Sequence, residues 1–179
     1  MPKNSHCSTC GAAYPAGAGW PRHCPACGDT AYRNPLPVAV VLLPVTSTGG
    51  DGLLVVRRDV EPRRGELALP GGYVDFGEAW RDAAARELRE ETGVAIDPAS
   101  VDLFGAESAP DGTLLMFGLG PTTAETDLPA PAATAETTGW ELLRGPAELA
   151  FSLHTAAVAR HFARSSTAGP GGGPLGSSG

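Results

Sequence analysis

The chain has 179 residues, a net charge of −7 and 42% hydrophobic residues, which is typical of a globular protein. Lys3 is its only lysine, which argues against a protein that grips a phosphate backbone and therefore against a nucleic-acid partner. No run approaches the ~20 apolar residues of a membrane span, and the N-terminus lacks the apolar stretch of a signal peptide. We therefore expect a cytoplasmic protein without membrane association.

The first predicted segment, residues 1–34, is a small cysteine module with too little apolar material to form its own core. Its four cysteines form two Cys-x2-Cys pairs, which are Cys7, Cys10, Cys24 and Cys27. This spacing, with a glycine directly after each pair, predicts a tetrahedral zinc ribbon in which Zn²⁺ has a structural role. Two disulfides are the alternative, which a reducing compartment disfavours. His6 and His23 adjoin cysteines, but a complete Cys₄ set leaves no position for them.

The next elements are two strands and a helix. The apolar run 36–43 predicts a buried strand, and 52–58 predicts its hairpin partner. Residues 78–92 are rich in Ala, Leu, Arg and Glu and precede Gly93, so they predict a helix. Weaker signals predict strands at 101–107, 113–119 and 138–143, a helix from Pro146 or Ser152 to Ala163, and a disordered Gly/Pro/Ser-rich tail over 165–179.

The predicted helix concentrates negative charge. Glu87, Glu90 and Glu91 lie at positions i, i+3 and i+4, so their carboxylates share one face. Like charges at this spacing destabilise an isolated helix, and a divalent cation would neutralise them. Carboxylate oxygens suit Mg²⁺ or Mn²⁺, which commonly complete their coordination with waters and substrate phosphate oxygens. The pattern therefore predicts metal-assisted chemistry on a phosphate compound.

The spacing G-x5-E-x7-R-E-L-x-E-E-x-G-V, from Gly72 to Val94, resembles the Nudix box at every defining position. The resemblance implies a Nudix hydrolase domain over 35–164. The implied fold belongs to the α/β class: an α/β/α sandwich with a mixed β-sheet, preceded here by the zinc ribbon. It also implies cleavage of a diphosphate in a nucleotide substrate, and a homodimer is compatible with it.

The resemblance assigns expected roles to individual residues. Glu87, Glu90 and Glu91 would supply the metal-binding and general-base carboxylates, without indicating which is the base. The backbone carbonyl of Gly71 would join Glu87 and Glu91 at the metal. Glu78 and Arg86 resemble the family's supporting pair, although a purely structural salt bridge is the preferred interpretation of both residues.

A further acid often follows the box in this family. Glu136 has the matching position, four residues before Trp140. Glu125 and Asp127 are alternatives, and an ordinary exposed loop glutamate is the simpler explanation of Glu136. We nevertheless expect Glu136 to bind the metal.

The ribbon placed before the first strand is similar to two groups of Nudix enzymes, NAD(H) pyrophosphatases and pyrophosphatases of FAD or ADP-ribose. The S-Q-P-W signature of the first group is absent from Glu107–Gly112, and Leu149–Ser152 resembles the second group. We therefore expect FAD or ADP-ribose to be preferred, with NAD(H) as the alternative. A hypothesis from another class is a zinc-ribbon regulator that binds nucleotides or nucleic acid through a non-catalytic Nudix domain.

Aromatic residues are candidates for stacking on a base or flavin, although such residues belong to the core more often. The candidates are Tyr73, Phe76, Phe104, Phe117 and Trp140.

Overall fold

The structure is a computed structural model that describes residues 4–167, with side chains as far as Ser165. The chain divides into two compact units, Met1–Pro35 and Leu36–Gly179. In the first unit, β1 (Arg22–His23) and β2 (Thr30–Ala31) form a short antiparallel hairpin. Within the described residues, no helix is long and apolar enough to cross a membrane.

The second unit is a mixed sheet with two α-helices. Its strands are β3 (Leu36–Thr46), β4 (Gly52–Arg58), β5 (Leu67–Ala68), β6 (Gly71–Tyr73), β7 (Asp102–Ser108), β8 (Thr113–Leu119), β9 (Thr123–Ala124) and β10 (Thr137–Leu143). Its α-helices are α1 (Trp80–Thr92) and α2 (Ser152–Thr167). The main strand order is β10-β4-β3-β8-β7, with β5 on β4 and with β6 and β9 on β3. This is the α/β/α architecture that the sequence predicted.

The central strand β3 separates two cores, and its continuous Val/Leu run is explained by burial on both faces. Ala39, Val41 and Leu43 face one core, which includes Ala84 and Leu88 of α1. The alternate residues of β3 face the second core, which includes Ala157 and Val158 of α2. Each helix therefore covers one face of the sheet.

The box helix starts later than the sequence predicted. Its first residue is Trp80, whereas the prediction began at Glu78. Gly77 has a left-handed φ of 84°, and the Glu78 amide donates to the Asp75 carbonyl at 3.0 Å. This turn places Glu78 before the helix. The helix ends as predicted, because Gly93 has a φ of 78° and donates its amide to the Arg89 carbonyl.

Several further boundaries differ from the sequence predictions. The first strand continues to Thr46, and residues 71–73, where no strand was predicted, pair with β3 as a strand. The last helix begins at Ser152, one of the two predicted starts, and continues to Thr167, so the prediction of tail at 165–167 is wrong. The remaining predicted tail, 168–179, lies outside the described residues.

Candidate functional site

Arg86 connects the acidic residues of the box. Its guanidinium donates to both carboxylate oxygens of Glu78, at 2.9 and 3.0 Å. Nη1 donates to Glu87 at 2.8 Å and to Glu90 at 3.2 Å, and Nη2 also donates to the Tyr73 carbonyl. The hydrogen bonds from Arg86 lower the pKa of Glu78. One arginine thus orients three carboxylates and joins the helix to the preceding loop.

Glu91 is the buried member of this set, with 6% of its surface exposed. Its carboxylate accepts the Gly71 amide at 3.1 Å. The pKa of Glu91 is raised to about 8, mainly by burial and also by the charges of Glu87 and Glu136, whereas the Gly71 amide and Arg58 act to lower it. The neighbourhood therefore has excess negative charge, which a cation would stabilise.

Two glycines allow the loop to approach the box helix and β3. A Cβ on Gly72 would lie 2.5 Å from a carboxylate oxygen of Glu87, and a Cβ on Gly71 would lie 2.4 Å from the Ala39 carbonyl oxygen. Burial also raises the pKa of Glu87, against the effect of Arg86. Any side chain at Gly72 would therefore displace a carboxylate of the candidate site.

Glu136 approaches the box through the start of β10. Thr137 donates its hydroxyl to the Glu91 carbonyl at 2.9 Å, and the Asp59 amide donates to the Glu136 carbonyl at 2.7 Å. Thr134 accepts the Glu136 amide at 3.2 Å. These contacts bring Glu136 close enough to Glu91 for its negative charge to raise the pKa of Glu91.

The alternative acids lie elsewhere. Glu125 and Asp127 belong to a 3₁₀-helix, and Glu125 lines an open cavity of about 510 Å³ near Ser47. The neighbouring β9 pairs with Val45 of β3, whereas Gly71 pairs with Val40, roughly 17 Å away along the strand. Glu136 is therefore the acid beyond the box that the structure brings to the carboxylates.

The four cysteines form a second site, in the N-terminal unit. Two similar turns present them, because the Gly11 amide donates to the Cys7 carbonyl and the Gly28 amide to the Cys24 carbonyl, both at 2.9 Å. All four sulfurs lie within 4.8 Å of one another, with separations of 3.7 Å between Cys7 and Cys27 and between Cys10 and Cys24.

These separations fit a tetrahedral ion. Metal–sulfur bonds of about 2.3 Å imply sulfur separations of about 3.8 Å. In the part of the chain that the structure describes, no other group of three or more potential His, Cys, Asp or Glu ligands is as close. Backbone amides of Cys10 and Thr9 are the main cause that lowers the pKa of Cys7 to about 6, whereas the neighbouring cysteines and burial raise the pKa of Cys27. The cluster can hold a metal ion.

The two histidines beside the cysteines have other partners: His6 contacts the hydroxyl of Ser5, and His23 contacts the hydroxyl of Thr30.

Comparison with protein families identifies the second unit, because residues 35–164 match the NUDIX domain. The chain belongs to the Nudix family. One curated relative is the NAD-capped RNA hydrolase NudC of Stutzerimonas stutzeri, 41% identical over 95 residues, covering 51% of this chain and 32% of that protein. Another is the ADP-ribose pyrophosphatase of Methanocaldococcus jannaschii, 42% identical over 59 residues, covering 33% of this chain and 34% of that protein.

The matched stretches span about a third of the length of these curated relatives. Among solved structures, a Nudix hydrolase from Nitrosomonas europaea has a TM-score of 0.70 over 93% of this chain and 94% of its own. Its sequence identity is 22%, so it supports the Nudix fold alone.

The structure separates the aromatic stacking candidates of this Nudix protein. Phe117 and Trp140 are buried in the two cores, so the stacking hypothesis is wrong for both. Phe104 lies beneath the guanidinium of Arg160, 4.3 Å from its ring centroid. Tyr73 and Phe76 are exposed and stay candidates.

Three residues near the Nudix box were not singled out from the sequence. They are Arg58, Thr137 and His154. Arg58 is the last residue of β4, and its positive charge acts to lower the pKa of Glu91. An arginine at the end of a strand is only a weak sequence signal for a functional residue. Thr137 and His154 give no local signal, because their partners are 46 and 85 residues away.

Proposed function

We propose that the chain is a divalent-metal-dependent Nudix pyrophosphohydrolase that cleaves the diphosphate of a nucleoside diphosphate derivative. The observation that carries the proposal is the arrangement around Arg86, which gathers Glu78, Glu87 and Glu90 beside the buried Glu91. Burying a carboxylate beside others of the same charge costs free energy, and a purely structural helix gains nothing that offsets this cost.

The donor set fits Mg²⁺ or Mn²⁺. Glu87, Glu91 and Glu136 offer hard oxygen atoms, together with the Gly71 carbonyl that the family resemblance indicates. Burial is the main cause of the raised pKa of Glu91, the charges of Glu87 and Glu136 add to it, and a bound cation would offset both effects. In the described residues no three of these carboxylates bring one oxygen each within 4.8 Å of one another; Glu87 accepts a hydrogen bond from Arg86, and Glu91 accepts one from the Gly71 amide.

A bound Mg²⁺ would supply positive charge for the diphosphate and would acidify a nearby water. The side chain of Glu90 is 52% exposed, so an attacking water can reach its carboxylate. We assign it the general-base role: it takes the water proton while the water oxygen bonds to one phosphorus. The bridging P–O bond then breaks, and the bridging oxygen leaves with the second phosphate. Arg86 orients Glu90 through their 3.2 Å contact.

For the substrate we propose FAD or ADP-ribose in preference to NADH. The Leu149–Ser152 segment, the missing S-Q-P-W signature in Glu107–Gly112 and the ADP-ribose pyrophosphatase relative support this order. In the turn between β7 and β8, hydrogen bonds from the Thr113 hydroxyl and amide lower the pKa of Asp111, so this acid is ionised at neutral pH. Its charge would disfavour a third phosphate, as in a nucleoside triphosphate, and does not separate NADH from FAD or ADP-ribose.

The test is hydrolysis of FAD, ADP-ribose, NADH, CoA and nucleoside triphosphates with saturating Mg²⁺ at neutral pH. FAD or ADP-ribose should exceed NADH in kcat/KM by about tenfold, which requires only about 1.4 kcal/mol of differential transition-state binding. Glu90→Gln should lower kcat by at least about 10²-fold. A folded Glu90→Gln protein with wild-type rates contradicts the assigned roles.

The second candidate is a NAD(H) pyrophosphatase, which the similarity to a protein named NAD-capped RNA hydrolase favours. A tenfold preference for NADH in the same assay would support it. If the wild-type protein binds nucleotides but cleaves none of them, the non-catalytic regulator is the better explanation.

In the N-terminal unit, we propose that the cysteines hold one structural Zn²⁺. The four ligands complete a tetrahedron, so the ion would stabilise the unit without taking part in hydrolysis. A homodimer and a cytoplasmic location stay predictions from the sequence.

A further inference from the structure

The chain changes its partner strand immediately before the Nudix box. Ala68 at the end of β5 pairs with Val56 of β4, whereas Gly71 at the start of β6 pairs with Val40 of β3. The two linking residues, Leu69 and Pro70, are therefore a strand crossover. Its geometry determines where Gly71 and Gly72 meet the box helix.

Each backbone group at a buried crossover needs a hydrogen-bond partner. Pro70 has no N–H, and its carbonyl accepts the Val41 amide at 2.8 Å. Leu69 has left the ladder of β4, and its amide donates to Nδ1 of His154 at 3.2 Å. A side chain of α2, 85 residues away, thus completes the crossover.

His154 is fixed for this contact. Only 6% of its surface is exposed, and its ring packs edge-on against Phe117 and Phe151, with ring centroids 5.9 and 5.1 Å apart. Burial lowers the pKa of His154 to about 4, so the ring is neutral at pH 7. With Nδ1 accepting, the ring proton is on Nε2.

We propose that His154 is a positioning residue of the active site, which sets the crossover and thereby places Gly71 and Gly72 against the box carboxylates. This inference rests on the proposed Nudix function for its catalytic consequence. His154 acts through the backbone and does not contact the reacting groups.

The backbone that follows the crossover has little room to move relative to the box helix. The Gly71 amide is 3.1 Å from Glu91, and the Gly72 Cα has no space for a Cβ beside Glu87. Without an acceptor at His154, the Leu69 amide is buried and unsatisfied. Movement of the crossover toward another acceptor would relieve it, and this movement would displace Gly71 and Gly72.

Three variants separate positioning from packing. His154→Asn keeps an acceptor close to the Nδ1 position, whereas His154→Leu keeps apolar bulk without an acceptor. Val158→Ala is the matched control, because Val158 lies on the same helix, is fully buried in the same core and leaves His154 in place. Urea unfolding establishes that each variant is folded and how much stability it loses.

Two measurements are independent of catalysis: NMR-resolved amide hydrogen exchange at Leu69 and Gly71, and Mn²⁺ affinity by electron paramagnetic resonance. His154→Leu should accelerate both exchange rates by about tenfold beyond the change in global stability, and weaken Mn²⁺ binding about tenfold, as loss of an outer contact commonly does. His154→Asn should stay close to the wild type in both measurements.

The proposal is overturned if His154→Leu exchanges and binds Mn²⁺ like the wild type. It is also overturned if Asn loses as much as Leu, or if Val158→Ala gives the same local effects. If the wild-type protein neither binds Mn²⁺ nor hydrolyses nucleotides, the proposed function fails, while the exchange rates still decide whether His154 fixes the crossover.

Discussion

Replacement of Gly72 by alanine should remove activity while it preserves the fold. The added Cβ would lie 2.5 Å from Oε1 and 2.8 Å from Oε2 of Glu87. An ordinary contact needs at least 3.4 Å, so the carboxylate must retreat by about 0.9 Å. This retreat disrupts the 2.8 Å contact between Glu87 and Arg86.

A misplacement of about 1 Å in a catalytic group can reduce the rate about 10²-fold, which corresponds to about 2.7 kcal/mol in the activation free energy. We expect a decrease of this size in kcat for Gly72→Ala. Stability should change by only about 1 kcal/mol, because the clash involves the mobile end of a side chain. Gly71→Ala should instead destabilise the protein strongly, since its Cβ would clash with backbone atoms of Ala39 and Val40.

The assay is steady-state hydrolysis of the best substrate in the panel, with Mg²⁺ titrated, alongside urea unfolding of each variant. Gly145→Ala is the matched control, because its Cβ would meet no atom within 4 Å and its φ is not in the left-handed region. Wild-type kcat in a folded Gly72→Ala protein would refute the reasoning. An equal loss in Gly145→Ala would do so too.

Three further predictions concern the zinc site, the start of β10 and pH. Metal-replete protein should contain one zinc per chain and Cys24→Ser should lose it; elemental analysis that finds no zinc in the wild type contradicts the assignment. Thr137→Val should lower the free energy of unfolding by about 1–3 kcal/mol, because the Glu91 carbonyl loses a buried donor; unchanged urea unfolding would count against this contact. The pKa of His154 is about 4 when folded and 6.5 when exposed, so the unfolded chain binds its proton first and stability falls as pH decreases. From pH 7 to 5 the wild type should lose about 2 kcal/mol more than His154→Asn, and parallel urea curves would exclude this contribution.

The sequence alone determined the features that depend on local spacing. Glu87, Glu90 and Glu91 share a face because a helix repeats every 3.6 residues, and the two Cys-x2-Cys-Gly turns form within five residues each. The box pattern then indicated the Nudix fold, which the family match and the mixed sheet confirmed. The presence of an aromatic residue was a weaker guide to base or flavin stacking, since Phe117 and Trp140 belong to the cores.

The tertiary structure decided which distant residues complete the candidate site. Thr137 meets Glu91 across 46 residues, and His154 meets Leu69 across 85 residues, through contacts that no local period encodes. The exchange of partner strands between Ala68 and Gly71 is also a property of the assembled sheet. A sequence pattern specifies what a segment offers to its neighbours. Which buried amide meets which acceptor depends on how the sheet and both helices pack together.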